Sequence, residues 1–257
     1  MPETPKTISS PSNPTVKRLK SLSAKKYRDE EQLFIVEGLR HVKDALAGGY
    51  VLDTLAYAAH ASRDVAALKA RESLEMTGDL LSRITGRDNA QAVVGAFRPK
   101  IEKLDSIKTG LWVGLEGIRD PGNLGTIIRT ADAVKAEGII LIGECCDPWS
   151  YEAVRGSMGS FARVKIATAP LKDFTSWRKG WTGKVTGTHL RTQTDYRAAK
   201  YDLPHILLMG SEANGLSDDA AKACDTLVKI PMAGGAESLN LAVSTGIMLY
   251  EMARARL

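Results

Sequence analysis

At 257 residues, with 44% hydrophobic and 25% charged side chains, the chain has the size and balance of one large or two small globular domains. No apolar run approaches the roughly 20 residues that span a bilayer, and the polar N-terminus lacks a signal-peptide core. Cys145, Cys146 and Cys224 are too few for a disulfide framework, no CxxC occurs, and His41, His60, His189 and His205 are scattered, so a cytoplasmic, metal-free protein is the default expectation.

The net charge is +5, and four of those five charges fall in the first thirty residues. Residues 1–14, rich in Pro, Ser and Thr, read as mobile. After the Asn13-Pro14 turn, Val16, Leu19 and Leu22 mark a short basic amphipathic helix. Residues 1–30 therefore form a basic arm in which Lys17, Arg18, Lys20, Lys25, Lys26 and Arg28 are candidates for phosphate-backbone contact, against the alternative of a solvated tail.

Residues 31–98 read as a small α/β unit. Strands are expected at 33–36, 54–58, 72–76 and 91–97, with helices at 39–46, 65–70 and 79–84, and the alternation implies parallel pairing. Glu37-Gly38, at the first strand end, is explained by a helix-start carboxylate and a turn glycine. A charged connector at 99–110 separates this unit from the remainder, 111–257.

The second unit opens with a buried strand at 111–115. A glycine-rich loop, 116–125, leads to a helix from about 126 to 134, without GxGxxG or GxxxxGK[ST] spacing. Arg129 on that helix is either a solvated residue, with Asp132 at i+3 as a surface partner, or a phosphate clamp. Strands follow at 138–142, 163–167 and 184–188, with a helix closed by small residues at 151–160.

The run 205–250 holds two further apolar segments, 206–209 and 227–232, each followed by a loop of small residues. A helix after Ser238 carries Leu239, Ala242, Val243, Gly246, Ile247 and Tyr250 on one face. Two strand exits with polar loops point to one pocket at the carboxyl ends of a parallel sheet. Gly210, Gly234 and Gly235 leave room for close backbone approach there. Glu212 fits either catalysis or loop anchoring, and Ser238 fits a helix N-cap.

Three blocks in this order resemble the SpoU (TrmH-type) family of RNA ribose 2′-O-methyltransferases, within the SPOUT superfamily. They are Asn123-Leu-Gly125 through Arg129, Gly210-Ser-Glu212-Ala-Asn-Gly215-Leu216, and Ile230-Pro231-Met232 through Ser238-Leu239-Asn240. The Arg155-Gly-Ser157-Met-Gly159 run is similar to an intermediate segment of the family. The likeness covers about 110–254, and 8–98 more loosely resembles the substrate-binding domain and lead-in of some members. One departure follows Asn240: many members carry Ser-Val-Ala where this chain has Ala242-Val243-Ser244.

The resemblance implies an α/β/α C-terminal domain with a parallel sheet and a deep trefoil knot, S-adenosylmethionine as methyl donor, RNA as acceptor, and a homodimer. By the same resemblance Asn123, Arg129, Glu212, Ser238 and Asn240 form the catalytic rim. Leu208, Gly210, Ile230, Met232 and Leu239 hold the donor. A guanidinium is permanently protonated, so Arg129 is expected to bind phosphate and steady a developing alkoxide rather than act as a base. Ribosomal RNA is the favoured acceptor. Transfer RNA, antibiotic self-protection, a non-catalytic RNA-binding module and, poorly, a dehydrogenase are the competing readings.

Overall fold

The computed structural model describes residues 6–257, so the first five residues of the expected mobile, basic arm lie outside the described residues. The chain forms two compact units. One runs to Lys100 and includes Trp149–Ala162; the other comprises Ile101–Pro148 and Arg163–Leu257.

The first unit contains β1 (Lys6–Ile8), α1 (Pro14–Ser21), α2 (Lys25–Glu31), β2 (Phe34–Glu37), α3 (Leu39–Ala47), β3 (Leu52–Tyr57), α4 (Ser62–Val65), β4 (Glu72–Met76), α5 (Gly78–Thr85) and β5 (Val93–Phe97). Its sheet has the order β1-β4-β3-β5-β2. The expected parallel pairing holds for β3 and β4, and β1, in a stretch read from sequence as mobile, joins β4 in parallel as well, but β5 is antiparallel to both β3 and β2. The eight residues of α5 rise only about 12 Å, and the seven-residue loop 86–92 is long enough to undo that rise. β5 therefore enters from the opposite end.

The arm is not a tail. Thr7 pairs with Glu75 in β1 and β4, Asn13 caps α1 by accepting the Thr15 N–H (2.8 Å), and Val16, Leu19 and Leu22 are buried with Leu80, Leu81 and Ile84 of α5. The helix expected at 65–70 is shorter and earlier. It stops at Val65 because Arg71 is drawn to the buried Asp53 carboxylate (2.8 and 3.2 Å).

The second unit begins with β6 (Leu111–Glu116), α6 (Pro121–Ala133) and β7 (Gly138–Ile142). The chain then returns to the first unit with α7 (Tyr151–Gly156), a departure from the expected single boundary at 99–110. The physical reason is aromatic: Trp149 and Phe161 pack on Phe34 (4.6 and 5.8 Å between centroids) and on Tyr50. Tyr151 also donates its hydroxyl to Glu37.

The remaining elements are β8 (Lys165–Ala169), α8 (Leu171–Arg178), β9 (Lys184–Thr188), β10 (His205–Met209), α9 (Asp218–Lys222), β11 (Thr226–Val228) and α10 (Leu241–Ala253). Six strands form an all-parallel sheet, β11-β9-β10-β6-β7-β8. Their side chains are mostly buried, as continuous apolar strands between helical layers require.

Two boundaries differ in ways that matter for the site. α6 starts at Pro121, five residues before the expected start, because Asp120 caps it by accepting the Asn123 N–H (2.6 Å) and proline suits the first helical position. Asn123 and Gly125 are thus helical. α10 buries Leu241, Ala242, Thr245, Met248, Leu249 and Met252, whereas Val243 and Tyr250 of the face read from periodicity are each 53% exposed.

Candidate functional site

The carboxyl ends of β9, β10 and β11 and the start of α10 enclose a cavity of about 440 Å³. β10 is followed by Gly210, where a Cβ would sit 1.9 Å from the Gly215 carbonyl carbon, so no other residue fits. The loop closes on itself through reciprocal backbone bonds between Ser211 and Gly215 (3.1 and 2.9 Å), with Gly215 at φ +66°. Glu212 is thereby turned to the rim. Beyond it, Ser217 caps α9, and the Glu116 carboxylate holds both its N–H (2.8 Å) and its hydroxyl (2.5 Å).

A directed hydrogen-bond chain crosses the rim. Asn240 caps α10, its Oδ1 accepting from Ala242 N–H (2.9 Å) and Val243 N–H (3.3 Å). That fixes which end of the amide is free. Its Nδ2 donates to Asn123 Oδ1 (3.0 Å), and Asn123 Nδ2 donates to Glu212 Oε1 (3.0 Å). Residues 117 positions apart meet because α6 and α10 begin at the same end of the sheet. The cap expected of Ser238 is therefore made by Asn240, two residues later, which leaves Ser238 free to line the cavity.

Arg129 is exposed on α6 and makes no hydrogen bond or ion pair among the described residues. Asp132, the surface partner weighed from sequence, is engaged instead by Arg163 (2.7–3.1 Å). Six residues of helix place Arg129 about 9 Å further along α6 than Asn123 and on a different face. It does not line the cavity.

Of the five residues expected to hold a donor, Gly210, Ile230, Met232 and Leu239 line the cavity. Leu208 does not. Strand alternation turns it into the core, where its Cδ1 lies 2.7 Å from where a Cβ on Gly114 would be, and Met209 faces the cavity in its place. The end of β9 and the loop after it were missed: Thr188, His189, Leu190 and Arg191 all line the cavity, with His189 Nδ1 accepting the Arg191 N–H (3.0 Å). The signal was available, since the ligand crevice of a parallel sheet lies at every strand's carboxyl end near the topological switch.

The basic arm is largely occupied with its own fold. Arg28 is only 7% exposed and donates to the Leu22 and Ser23 carbonyls (2.8 Å each). Arg18 reaches Thr54 (2.8 Å) and Asp53 (3.3 Å), and Lys25 and Lys26 pair with Asp29 and Glu30 (2.6 and 3.8 Å). Lys17 and Lys20 are exposed without such partners among the described residues.

Burial pushes the Cys146 and Cys224 thiols up to about 12, and Cys145 upward as well, so none is a thiolate near neutrality. Among the described residues no group of three or more His, Cys, Asp or Glu side chains could hold a metal, and no helix is long and apolar enough to cross a membrane. What remains at the rim is a fixed carboxylate, two oriented amides and a hydroxyl, with an unpaired guanidinium further along α6. These groups suit binding and alignment rather than covalent or metal chemistry.

The model of the SpoU rRNA Methylase family matches residues 110–250, and that of the MRM3-like substrate binding domain matches 13–95. The chain is 27% identical to a Bacillus subtilis 23S rRNA (guanosine(2553)-2′-O)-methyltransferase, over 96% of this chain and 99% of that protein. It is 32% identical to a Streptomyces viridochromogenes 23S rRNA (uridine(2479)-2′-O)-methyltransferase, over 87% of this chain and 83% of that one. Among solved structures, an AdoMet-bound rRNA methyltransferase from Sinorhizobium meliloti is 45% identical with a TM-score of 0.93, covering 98% of each chain.

Proposed function

The chain belongs to the SpoU rRNA Methylase family, and from that premise we propose that it transfers the methyl group of S-adenosylmethionine to a ribose 2′-hydroxyl of ribosomal RNA. The observation that carries this reading is the Asn240–Asn123–Glu212 chain on the rim of a cavity.

The cavity suits the donor. Its volume is in the range of small-molecule sites, and Leu216, Ile230, Met232 and Leu241 supply apolar walls for an adenine ring. Gly210 exposes backbone, and the lining carries charges of both signs, Glu212, Asp218 and Glu237 against Arg191 and Lys229, for a ligand that bears both a cationic sulfonium and amine and a carboxylate. When bound, the donor supplies an electrophilic methyl on a sulfonium. The protein's share is alignment: Asn123 and Asn240 hold Glu212, and Ser238 adds a hydroxyl at the rim. Arg129 presents a fork suited to the phosphate beside the target ribose and to the charge that grows on its oxygen. Arg129→Ala is expected to abolish turnover while calorimetry shows donor binding near normal; undiminished transfer would remove Arg129 from the reaction.

A homodimer is part of the same reading, supported by the exposed apolar residues of α10, Val243 and Tyr250, beside α6. So is a trefoil knot, which family membership supports. A cytoplasmic setting is part of the same reading.

The test is incubation with methyl-labelled S-adenosylmethionine and, separately, total ribosomal and transfer RNA. Label in ribosomal RNA at one alkali-resistant dinucleotide is expected. Label in transfer RNA alone would overturn the ribosomal assignment, and donor binding without label in any RNA or ribosomal particle would overturn the enzymatic one.

A further inference from the structure

Segment 149–162 lies within the stretch that matches the methylase family, yet it folds with the first unit. It brings an unusual turn. Met158 has φ +52°, a left-handed conformation that non-glycine residues seldom adopt, and is 51% exposed. Its neighbours are clamped: Ser157 is buried with its hydroxyl on the Val154 carbonyl (2.7 Å). Gly159, at φ +90°, abuts α3 so closely that a Cβ would lie 2.7 Å from Asp44 Oδ2 and 3.2 Å from the His41 ring. The strained residue is the one turned outward.

Residues 155–159 thus run beside the first turns of α3, where Arg40 and Lys43 are exposed. Arg155, also exposed, lies 6.0 Å from the Tyr151 ring. None of these three cations has an ion-pair partner among the described residues; Asp44 and Glu152 are close to them in sequence, and Glu37 is held by Tyr151 and Arg87. Arg18, Lys25, Lys26 and Arg28 of α1 and α2, by contrast, are engaged by the chain's own acids, hydroxyls or carbonyls, and that contrast is the second observation.

We propose that this surface of the first unit grips the RNA substrate, with Arg40, Lys43 and Arg155 on phosphates and Met158 against an unstacked base. The proposal rests on the RNA-methylating reading and assigns its substrate contact to residues outside the rim. Unpaired arginines suit a polyanion, and a projecting apolar side chain suits the exposed base face of single-stranded or bulged RNA.

Arg40→Gln/Arg155→Gln is measured by filter binding to the methylated RNA across a salt series, with Lys165→Gln, a single-charge loss at an ion pair with Glu137, as control. The double variant is expected to bind several-fold more weakly and to lose about two units of salt slope, one per phosphate contact. The control is expected to match wild type, as is donor binding by all of them. Met158→Gly separates contact from folding: glycine accepts the positive φ, so the melting temperature is not lowered while KM for RNA rises. Unchanged affinity and slope in the double variant, with an active wild type, would overturn this surface alone. A wild type that neither binds nor methylates RNA would overturn the underlying reading as well.

Discussion

Asn240 does two jobs with one amide: its oxygen caps α10 and its nitrogen donates to Asn123. The two are separable. Asn240→Asp keeps a capping oxygen, since Asp and Asn cap about equally well, but has no donor for Asn123. Asn123 cannot repair the loss by flipping, because its carbonyl would then face the Glu212 carboxylate. We expect a melting temperature near wild type and a kcat lower by roughly one to two orders of magnitude, in line with losing an interaction that positions a reacting group. Asn240→Ala removes the cap as well and should cost about 1 kcal/mol of stability in addition. Thermal melts and single-turnover rates on both variants separate the roles. If Asn240→Asp keeps the wild-type single-turnover rate, the chain from Asn240 to Glu212 has no function beyond the cap.

At the scale of elements, α7 is fastened to β2 by a buried carboxylate. Glu37 accepts from Tyr151 Oη, from the Gln91 N–H (2.7 Å) and from Arg87 (3.3 Å). Burial, reinforced by the Glu37 hydrogen bond and charge, pushes the Tyr151 phenol up to about 12, with Arg87 pulling the other way. Below the ordinary tyrosine value of 10.0 the phenol is protonated in both folded and unfolded chains, and its contribution to stability is complete. Between there and about 12 only the unfolded chain gives up the proton, so stability falls as pH rises. Tyr151→Phe should cost about 1–2 kcal/mol at pH near 8, and the gap in urea midpoints should narrow at pH near 11. A gap that does not change with pH would mean the phenol has the same proton affinity in both states. Glu37 was legible only as a helix-start carboxylate, because all its partners come from distant sequence. The same limit governs the rest. Gly138–Ile142 and Lys184–Thr188 were readable to the residue because each is a short, β-rich run with a glycine or loop at its ends. α2 was not, since Lys25–Glu31 has no apolar period and its buried residue is Arg28. The three motif loops marked the rim residues, but the hydrogen bonds joining them depend on where α6 and α10 begin. For α6 that start is written in Asp120-Pro121, a cap followed by a first-turn proline, although the glycines around it have the composition of a loop.

For the whole molecule, two features of the surface carry consequences. Val243 and Tyr250 leave an apolar strip on α10 uncovered, and a homodimer would bury it. Val243→Glu/Tyr250→Glu is then expected to sediment at half the wild-type mass, and an unchanged mass would exclude this strip as the interface. The second feature is the return of Trp149–Ala162 to the first unit. A fragment beginning at Ile101 keeps the complete six-stranded sheet but strands Trp149 and Phe161, whose partners Phe34 and Tyr50 are gone. It should bind a hydrophobic dye and aggregate, although it contains the whole methylase match. Replacing both aromatics by Gln distinguishes exposed surface from a poorly folded sheet. In the fragment the replacements should raise the soluble fraction, because they only remove apolar surface. In the full chain the same pair should destabilise, by about 3–5 kcal/mol for each aromatic as judged from truncations in packed cores. Opposite signs in the two backgrounds are what a segment that belongs to the first unit requires. A dye-silent, monodisperse wild-type fragment would instead show that Trp149 and Phe161 find cover without Phe34 and Tyr50.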